Sequence, residues 1–391
     1  MRNDVIRRLE IYADGTDAFD KVRRALQEAT IGQPAGSLQQ VVAGHVEARA
    51  VKVCLRGSPS VTARIRSGIS SIPGVQVLRD FLDVPALNNS RKGPEYPDQE
   101  ALLRIDPDEI SRTQQGTGSR VIVAIVDSGI MVDHPVFKGH LWTTNVDGQD
   151  VRGARCMGGK PDYDLTDQDG HGTMLAGSIL ATANFFGGLE LMAVKFFDVM
   201  TQPAAANASQ AIKFAVDNKA DIINLSFDLG IGSDELEDAI AYAGKARALV
   251  VLAAGNTGSN NDRYPLVPAV YARSCRDNSI VVMATDRYDE RAMISNFGRE
   301  TVDLAAPGVK VVTTRASVGG AALELYGRYT GTSAAAAQVS GAAALLKSQD
   351  PSRTAPDLKR ILMKSVDLSP RLKCVSGGRL NLGRALGLGP T

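Results

Sequence analysis

Val121-Ile122-Val123-Ala124-Ile125-Val126, followed by Asp127-Ser128-Gly129-Ile130, is the stretch on which the fold turns. Six consecutive apolar residues, mostly β-branched, read as a strand buried on both faces rather than one face of a half-exposed sheet. Asp127 and the Ser-Gly pair after it supply the turn chemistry that ends such a run. Runs of the same kind recur at residues 191–197, 222–225, 249–252 and 280–283, with amphipathic helical patterns between them, such as 209–218 and 234–246. Buried strands alternating with helices predict an α/β fold, a parallel doubly wound sheet with helices on both faces.

Upstream, the pattern changes. Residues 9–12, 47–55 and 75–78 read as short strands, and residues 17–29 and 60–72 carry apolar side chains at helical spacing. This predicts a small α+β module over residues 1–87. The polar, turn-rich stretch that follows, including Asn88-Asn89-Ser90-Arg91-Lys92-Gly93-Pro94, reads as an exposed linker over 88–117. The α/β domain then occupies 118–391. No tandem repeat or low-complexity tract interrupts the chain.

Composition excludes several classes. The 391 residues include 44 basic and 43 acidic side chains, for a formal net charge of +1, so no strong field exists for nucleic acid or an anionic membrane. No apolar run reaches the roughly 20 residues that a spanning helix needs. The four cysteines, Cys54, Cys156, Cys275 and Cys374, lie far apart and form no CxxC pair, which argues against a zinc knuckle or a disulfide-dense scaffold. With no secretory signal visible after Met1, these features set the expectation of a cytoplasmic protein. A nucleotide-binding reading fails for lack of a GxGxxG or GxxxxGK[ST] after the first strand of the large domain.

Sites in doubly wound sheets form at the carboxyl edges of strands. Asp127 stands at one such edge, where an acidic residue serves equally well to bind a ribose hydroxyl or a metal, or to cap a turn. His171 lies in Asp169-Gly170-His171-Gly172-Thr173 at the start of a helical run; its flanking glycines leave the backbone clear around the imidazole, although satisfying helix amides is the alternative role. Ser333, in Gly331-Thr332-Ser333, precedes a helix-forming run and offers a hydroxyl at the positive end of a helix, or simply an N-cap. Asn256 ends a strand and is either an oxyanion donor or a turn residue. Together they supply what acyl transfer needs: a nucleophile, a base, an orienting carboxylate and a hydrogen-bond donor.

In that chain order the sequence resembles the subtilisin-like serine peptidases, the subtilases of peptidase family S8. The matching segments are VAIVDSGI around Asp127, DGHGT around His171, INLSF at 223–227, AAGN ending at Asn256, SNFG at 295–298, APGV at 306–309, GTSAAAAQVSGAAALL from Gly331, and GGRLNLGRAL near the C-terminus. The resemblance implies a serine endopeptidase in which Asp127 orients His171, His171 activates Ser333, and Asn256 with the Ser333 backbone N–H forms the oxyanion hole. Ser226, Phe227 and Asp228, and Ala253, Ala254 and Gly255, match the two walls of the pocket for the residue before the scissile bond (P1). The implied partner is a peptide or protein substrate. Its size, its alternation and above all its position make the first module similar to the family's ferredoxin-like prodomains, which chaperone folding and act as intramolecular inhibitors; cleavage would then fall between Val84 and Gly118, and a retained regulatory domain is the rival reading.

Four departures from the family stand out. After Ser333 the usual Met-Ala-x-Pro-His is Ala334-Ala335-Ala336-Ala337-Gln338, which raises the alternative of a catalytically impaired pseudo-peptidase that binds peptides. Met174 replaces the usual second histidine. The oxygen ligands of the family's tight calcium site are missing around His134-Pro135-Val136-Phe137 and from the short loop at 184–188, so no cofactor is expected and that site is expected to be absent. The pocket wall runs Ser226-Phe227-Asp228-Leu229 in place of Ser-Leu-Gly-Gly; an aspartate facing the pocket favours a basic P1 side chain, whereas one facing solvent sets no preference.

Overall fold

The computed structural model describes residues 5–13, 20–22, 24, 50–57, 69, 72, 75–82, 119–183, 187–199, 201, 203–316 and 325–387. The chain divides into two compact units, Met1–Tyr96 with Ser317–Thr330, and Pro97–Ala316 with Gly331–Thr391.

In the first unit, β1 (Val5–Ala13) pairs antiparallel with both β2 (Ala50–Gly57) and β3 (Val75–Leu82), so β1 is central. The three strands contain most of the residues that the sequence marked as extended. A further strand, Tyr326–Tyr329, joins this unit by placing Tyr329 opposite Arg79; the sequence assigned that segment to the large domain. The linker at 88–117 and most of the helical stretches expected at 17–29 and 60–72 lie outside the described residues.

The second unit is built on a nine-stranded sheet. Its strands are β4 (Val121–Asp127), β5 (Gly153–Arg155), β6 (Leu189–Lys195), β7 (Ile222–Leu225), β8 (Leu249–Ala253), β9 (Ser279–Thr285), β10 (Leu304–Pro307), β11 (Val366–Leu368) and β12 (Gly378–Leu380). They lie in the order β11-β12-β10-β9-β8-β7-β4-β6-β5. Every pairing is parallel except β11 with β12. After β4 the chain places β6 on one side and β7 on the other, so strand order reverses there. The carboxyl ends of β4 and β7 therefore flank the crevice where open α/β sheets bind their ligands.

Period-two alternation sends each strand's side chains to two different layers. Ile122, Ala124, Val126, Val194, Ile223, Leu225, Val250 and Leu252 pack against Ala208, Ile212, Leu236 and Ile240 of helices α2 (Ala205–Asp217) and α3 (Asp234–Lys245). Each such large aliphatic side chain, fully buried, contributes about 1.5–3 kcal/mol. The opposite face carries α1 (His171–Thr182) and α4 (Thr332–Gln349). Asn224 of β7 points to that side, where its Oδ1 accepts from Ser340 Oγ of α4 at 3.0 Å. The two helices meet closely at Gly341: a Cβ there would lie 2.6 Å from the Ile179 carbonyl oxygen and 2.8 Å from Thr182 Cβ. Among the described residues no helix is long and apolar enough to cross a membrane.

Candidate active site

Asp127 is the last residue of β4 and fully buried. Its Oδ1 accepts from the backbone N–H of Ser128 at 2.8 Å and lies 2.7 Å from His171 Nδ1. That contact fixes which imidazole nitrogen faces the carboxylate, leaving Nε2 on the side away from Asp127.

His171 is the first residue of α1. Gly170 before it caps the helix with a left-handed backbone, φ +86°. Gly172 after it does something the sequence reading did not anticipate. A Cβ at Gly172 would stand 2.1 Å from the Gly129 carbonyl oxygen, so its glycine lets the helix close onto the turn after β4 rather than clearing space for substrate. The Gly172 N–H then donates to Ser128 Oγ at 3.0 Å.

Asp167 completes this turn, and nothing in the sequence reading marked it. Its carboxylate accepts from Ser128 Oγ (2.9 Å), Gly170 N (2.7 Å), Thr173 N (2.8 Å) and Thr173 Oγ1 (2.6 Å). Burial raises its pKa, against the hydrogen bonds from Thr173 and Gly170, which lower it. Behind it Lys195, 2% exposed, donates from Nζ to the Thr166 carbonyl at 2.6 Å.

Ser333 is the second residue of α4, and its hydroxyl donates to the Ser226 carbonyl at 3.2 Å. The preceding Thr332 donates both its N–H and its hydroxyl to Asn256 Oδ1, at 2.8 and 3.1 Å, while its hydroxyl oxygen accepts from Gly255 N at 3.1 Å. With Oδ1 taken by two donors, the amide orientation follows from the network, and Nδ2 is the donor end turned away from Thr332. Asn296, within the SNFG segment, accepts at Oδ1 from Thr257 N, Thr257 Oγ1 and Ser259 N, and its Nδ2 donates to Asn261. It thereby holds the loop that carries Asn256. The sequence signal was the SNFG motif itself, to which no role had been given.

The altered run after Ser333 packs into the core. Ala334, Ala335, Ala336 and Ala337 are buried, and Gln338 donates from Nε2 to the Pro307 carbonyl at 2.7 Å, tying α4 to β10. Met174 is 1% exposed and serves as core.

The expected pocket residues divide by orientation. Ser226 follows β7, and its hydroxyl accepts from Asn224 Nδ2 at 2.9 Å. Phe227 turns its ring into the core, 4.5 Å from the Phe196 centroid, so its side chain lines the core and not a cleft. Ala254 likewise belongs to the core cluster, and its carbonyl accepts from Asn261 Nδ2 at 2.8 Å. Ala253 ends β8 and is buried, and Gly255 joins Thr332 as described. Asp228 is exposed. Among the described residues no group of three or more His, Cys, Asp or Glu is placed to hold a metal ion.

Comparison with known proteins matches residues 118–389 to the family model described as "Subtilase family". A "Thermostable alkaline protease" of Halalkalibacterium halodurans is 34% identical over 276 residues, covering 69% of this chain and 68% of the relative. "Subtilisin BL" of Lederbergia lenta is 36% identical over 242 residues, 60% of this chain and 79% of its own. Among solved structures, a protease from Pseudoalteromonas arctica has a TM-score of 0.62 at 24% identity, covering 75% of this chain and 98% of that one, which supports the fold. These relatives also correct the expectation of a cytoplasmic protein: they are secreted, extracellular subtilisins, and neither the start of this sequence nor its sparse cysteines decides a compartment. The chain belongs to the subtilase family and is a serine-type endopeptidase.

Proposed function

We propose that Ser333, His171 and Asp127 cleave peptide bonds through an acyl-enzyme, with Asn256 Nδ2 and the Ser333 backbone N–H as the oxyanion hole. The observation that carries this reading is the buried 2.7 Å contact between Asp127 and His171 Nδ1, at the edge where the Ser333 hydroxyl meets the Ser226 carbonyl. Rotation of the Ser333 side chain away from Ser226 hands its proton to His171 Nε2 as Oγ attacks the substrate carbonyl. Asp127 stabilises the imidazolium that results. The new oxyanion develops at the N-terminus of α4, where helix amides and the Asn256 amide are already oriented, so little reorganisation is needed. His171 then returns the proton to the leaving amine, and a water molecule repeats the sequence on the ester.

Ser226, Asp228, Ala253 and Gly255 form the walls beside the scissile bond in this reading, with Phe227 and Ala254 contributing backbone. The N-terminal module, residues 1–87, acts as a ferredoxin-like folding chaperone and intramolecular inhibitor, released by cleavage between Val84 and Gly118. The chemistry uses no cofactor, and the tight calcium site of the family is absent.

A second reading, a peptide-binding pseudo-peptidase, draws on the Ser333 hydroxyl being bonded to Ser226 and on the substituted run after it. The Gln338–Pro307 bond weighs against it, because it anchors α4 by a different route. Labelling with a fluorophosphonate separates the two, since only a triad-activated serine reacts readily. Wild-type protein is expected to label and the Ser333→Ala variant not to; an unlabelled wild type sinks the peptidase reading. The same pair tests processing: an intact Ser333→Ala chain beside a shortened wild type supports self-cleavage, and identical lengths refute it.

A further inference from the structure

Asp228 performs none of the steps above, yet it stands two residues beyond the carbonyl that receives the nucleophile's hydroxyl. Phe227 before it drives its ring into the core against Phe196, whereas Asp228 is exposed. Just ahead of both, Asn224 holds the Ser226 hydroxyl and bonds to Ser340 of α4, the helix that begins at Thr332-Ser333. The next residue, Leu229, is pinned by its N–H to the Val267 carbonyl at 3.0 Å, which holds Asp228 at this position.

Chemically, Asp228 is incomplete. It is exposed, and among the described residues no hydrogen bond or ion pair engages it. Protein mass around it desolvates the carboxyl and raises its pKa to about 6, while water at its open side limits that effect. Every other strongly engaged aspartate of this region, Asp127 and Asp167 among them, has several donors. A carboxylate that is partly desolvated and without a cation, beside a reactive hydroxyl, is completed by a cation brought by the ligand.

We propose that Asp228 is a specificity-determining residue that selects peptides carrying lysine or arginine at P1, immediately before the scissile bond. This rests on the assignment of Ser333 as the nucleophile. The cationic head would pair with the carboxylate while the aliphatic stem covers the wall formed by Ser226 and Gly255. Discrimination comes from the charge pair, since an apolar P1 side chain leaves Asp228 as it stands.

The test uses the full chain and a set of peptides identical except for Lys, Arg, Leu or Phe at P1. Wild type is expected to show kcat/KM at least about tenfold higher for Lys and Arg than for Leu, on the order of 1.4 kcal/mol in transition-state binding. Asp228→Asn is expected to bring the Lys-to-Leu and Arg-to-Leu ratios of kcat/KM down to about one; fluorophosphonate labelling confirms that the variant is folded. Equal cleavage of all four peptides by wild type overturns the proposal without touching the peptidase assignment, and needs no variant. An Asp228→Asn enzyme that keeps the basic preference overturns it too. Wild type that neither labels nor cleaves removes both the nucleophile assignment and this inference.

Discussion

Thr332 and Asn256 form a two-donor clamp: the N–H and the hydroxyl of Thr332 both reach Asn256 Oδ1, at 2.8 and 3.1 Å. In the proposed mechanism the residue beside the nucleophile thus sets the direction of the amide that faces the developing oxyanion. Thr332→Val keeps the N–H bond and the shape but removes the hydroxyl that also receives Gly255 N. A lost hydrogen bond of about 1–1.5 kcal/mol corresponds to roughly tenfold in kcat, with KM little changed. Asn256→Ala, which removes the donor itself, is expected to lower kcat by about 10²–10³. Steady-state kinetics on one peptide substrate decide both, and a Thr332→Val enzyme with wild-type kcat refutes the clamp.

Asp167 binds the turn before His171 to the turn after Asp127 through Ser128, Gly170 and Thr173. Asparagine in its place presents an amide to one or more of these donors and leaves them unpaired in a buried site. The expected loss is about 1–3 kcal/mol of stability. Denaturant unfolding measures it, and an Asp167→Asn protein as stable as wild type shows that the turn is held otherwise.

The buried strands of the sheet were legible because each depends on local pattern. Continuous apolar runs mark a sheet covered on both sides, and Asp127, His171, Asn256 and Ser333 sit where those runs end or helices begin. Their supports were not legible, since Asp167, Thr332 and Asn296 look like ordinary cap and turn residues. What distinguishes them is a partner distant in sequence: Ser128 lies 39 residues from Asp167, and Asn256 lies 76 from Thr332. Phe227 misled for a related reason. Matching by position placed it on a pocket wall, whereas alternation continuing past β7 aims its ring at Phe196.

The Asp228 carboxyl, raised to about 6 by desolvation alone, also fixes a direction of pH dependence. Below that value the group is protonated and neutral; above it the group carries the charge that a basic P1 side chain needs. The ratio of kcat/KM for Lys over Leu peptides is therefore expected to rise between about pH 5 and 7. Taking the ratio cancels titration common to both substrates. A ratio flat across that range in wild type contradicts the assignment, and Asp228→Asn supplies the flat control.

The proposed absence of the tight calcium site gives a thermal prediction. The short turn at Pro135–Phe137 buries Phe137 and presents no carboxylate there. A site filled at 1,000 times its Kd stabilises a protein by about 4 kcal/mol, which for a domain of this size is on the order of 10 °C in Tm. Adding a chelator is expected to move Tm by about 1 °C or less. A fall near 10 °C, restored by calcium, would reveal a tight site after all.

Gly341 connects helix packing to catalysis. It lies in α4, and a Cβ there would meet the Ile179 carbonyl oxygen at 2.6 Å and Thr182 Cβ at 2.8 Å, both on α1. Those are contacts to backbone and to a β-branched stem, which cannot swing aside, so Gly341→Ala must push the helices apart. Overpacking of this kind costs about 1–3 kcal/mol, or roughly 2–9 °C in Tm at this size. The two helices begin at His171 and Thr332-Ser333, so in the proposed mechanism the same displacement changes the gap across which the proton must pass. Misplacement of reacting groups by about 1 Å costs on the order of 10²-fold in rate, and even a fraction of that shift is expected to slow fluorophosphonate labelling about tenfold in the folded fraction. A Gly341→Ala protein that melts lower but labels at the wild-type rate confines the glycine to packing; one that matches wild type in both shows that α1 and α4 tolerate separation.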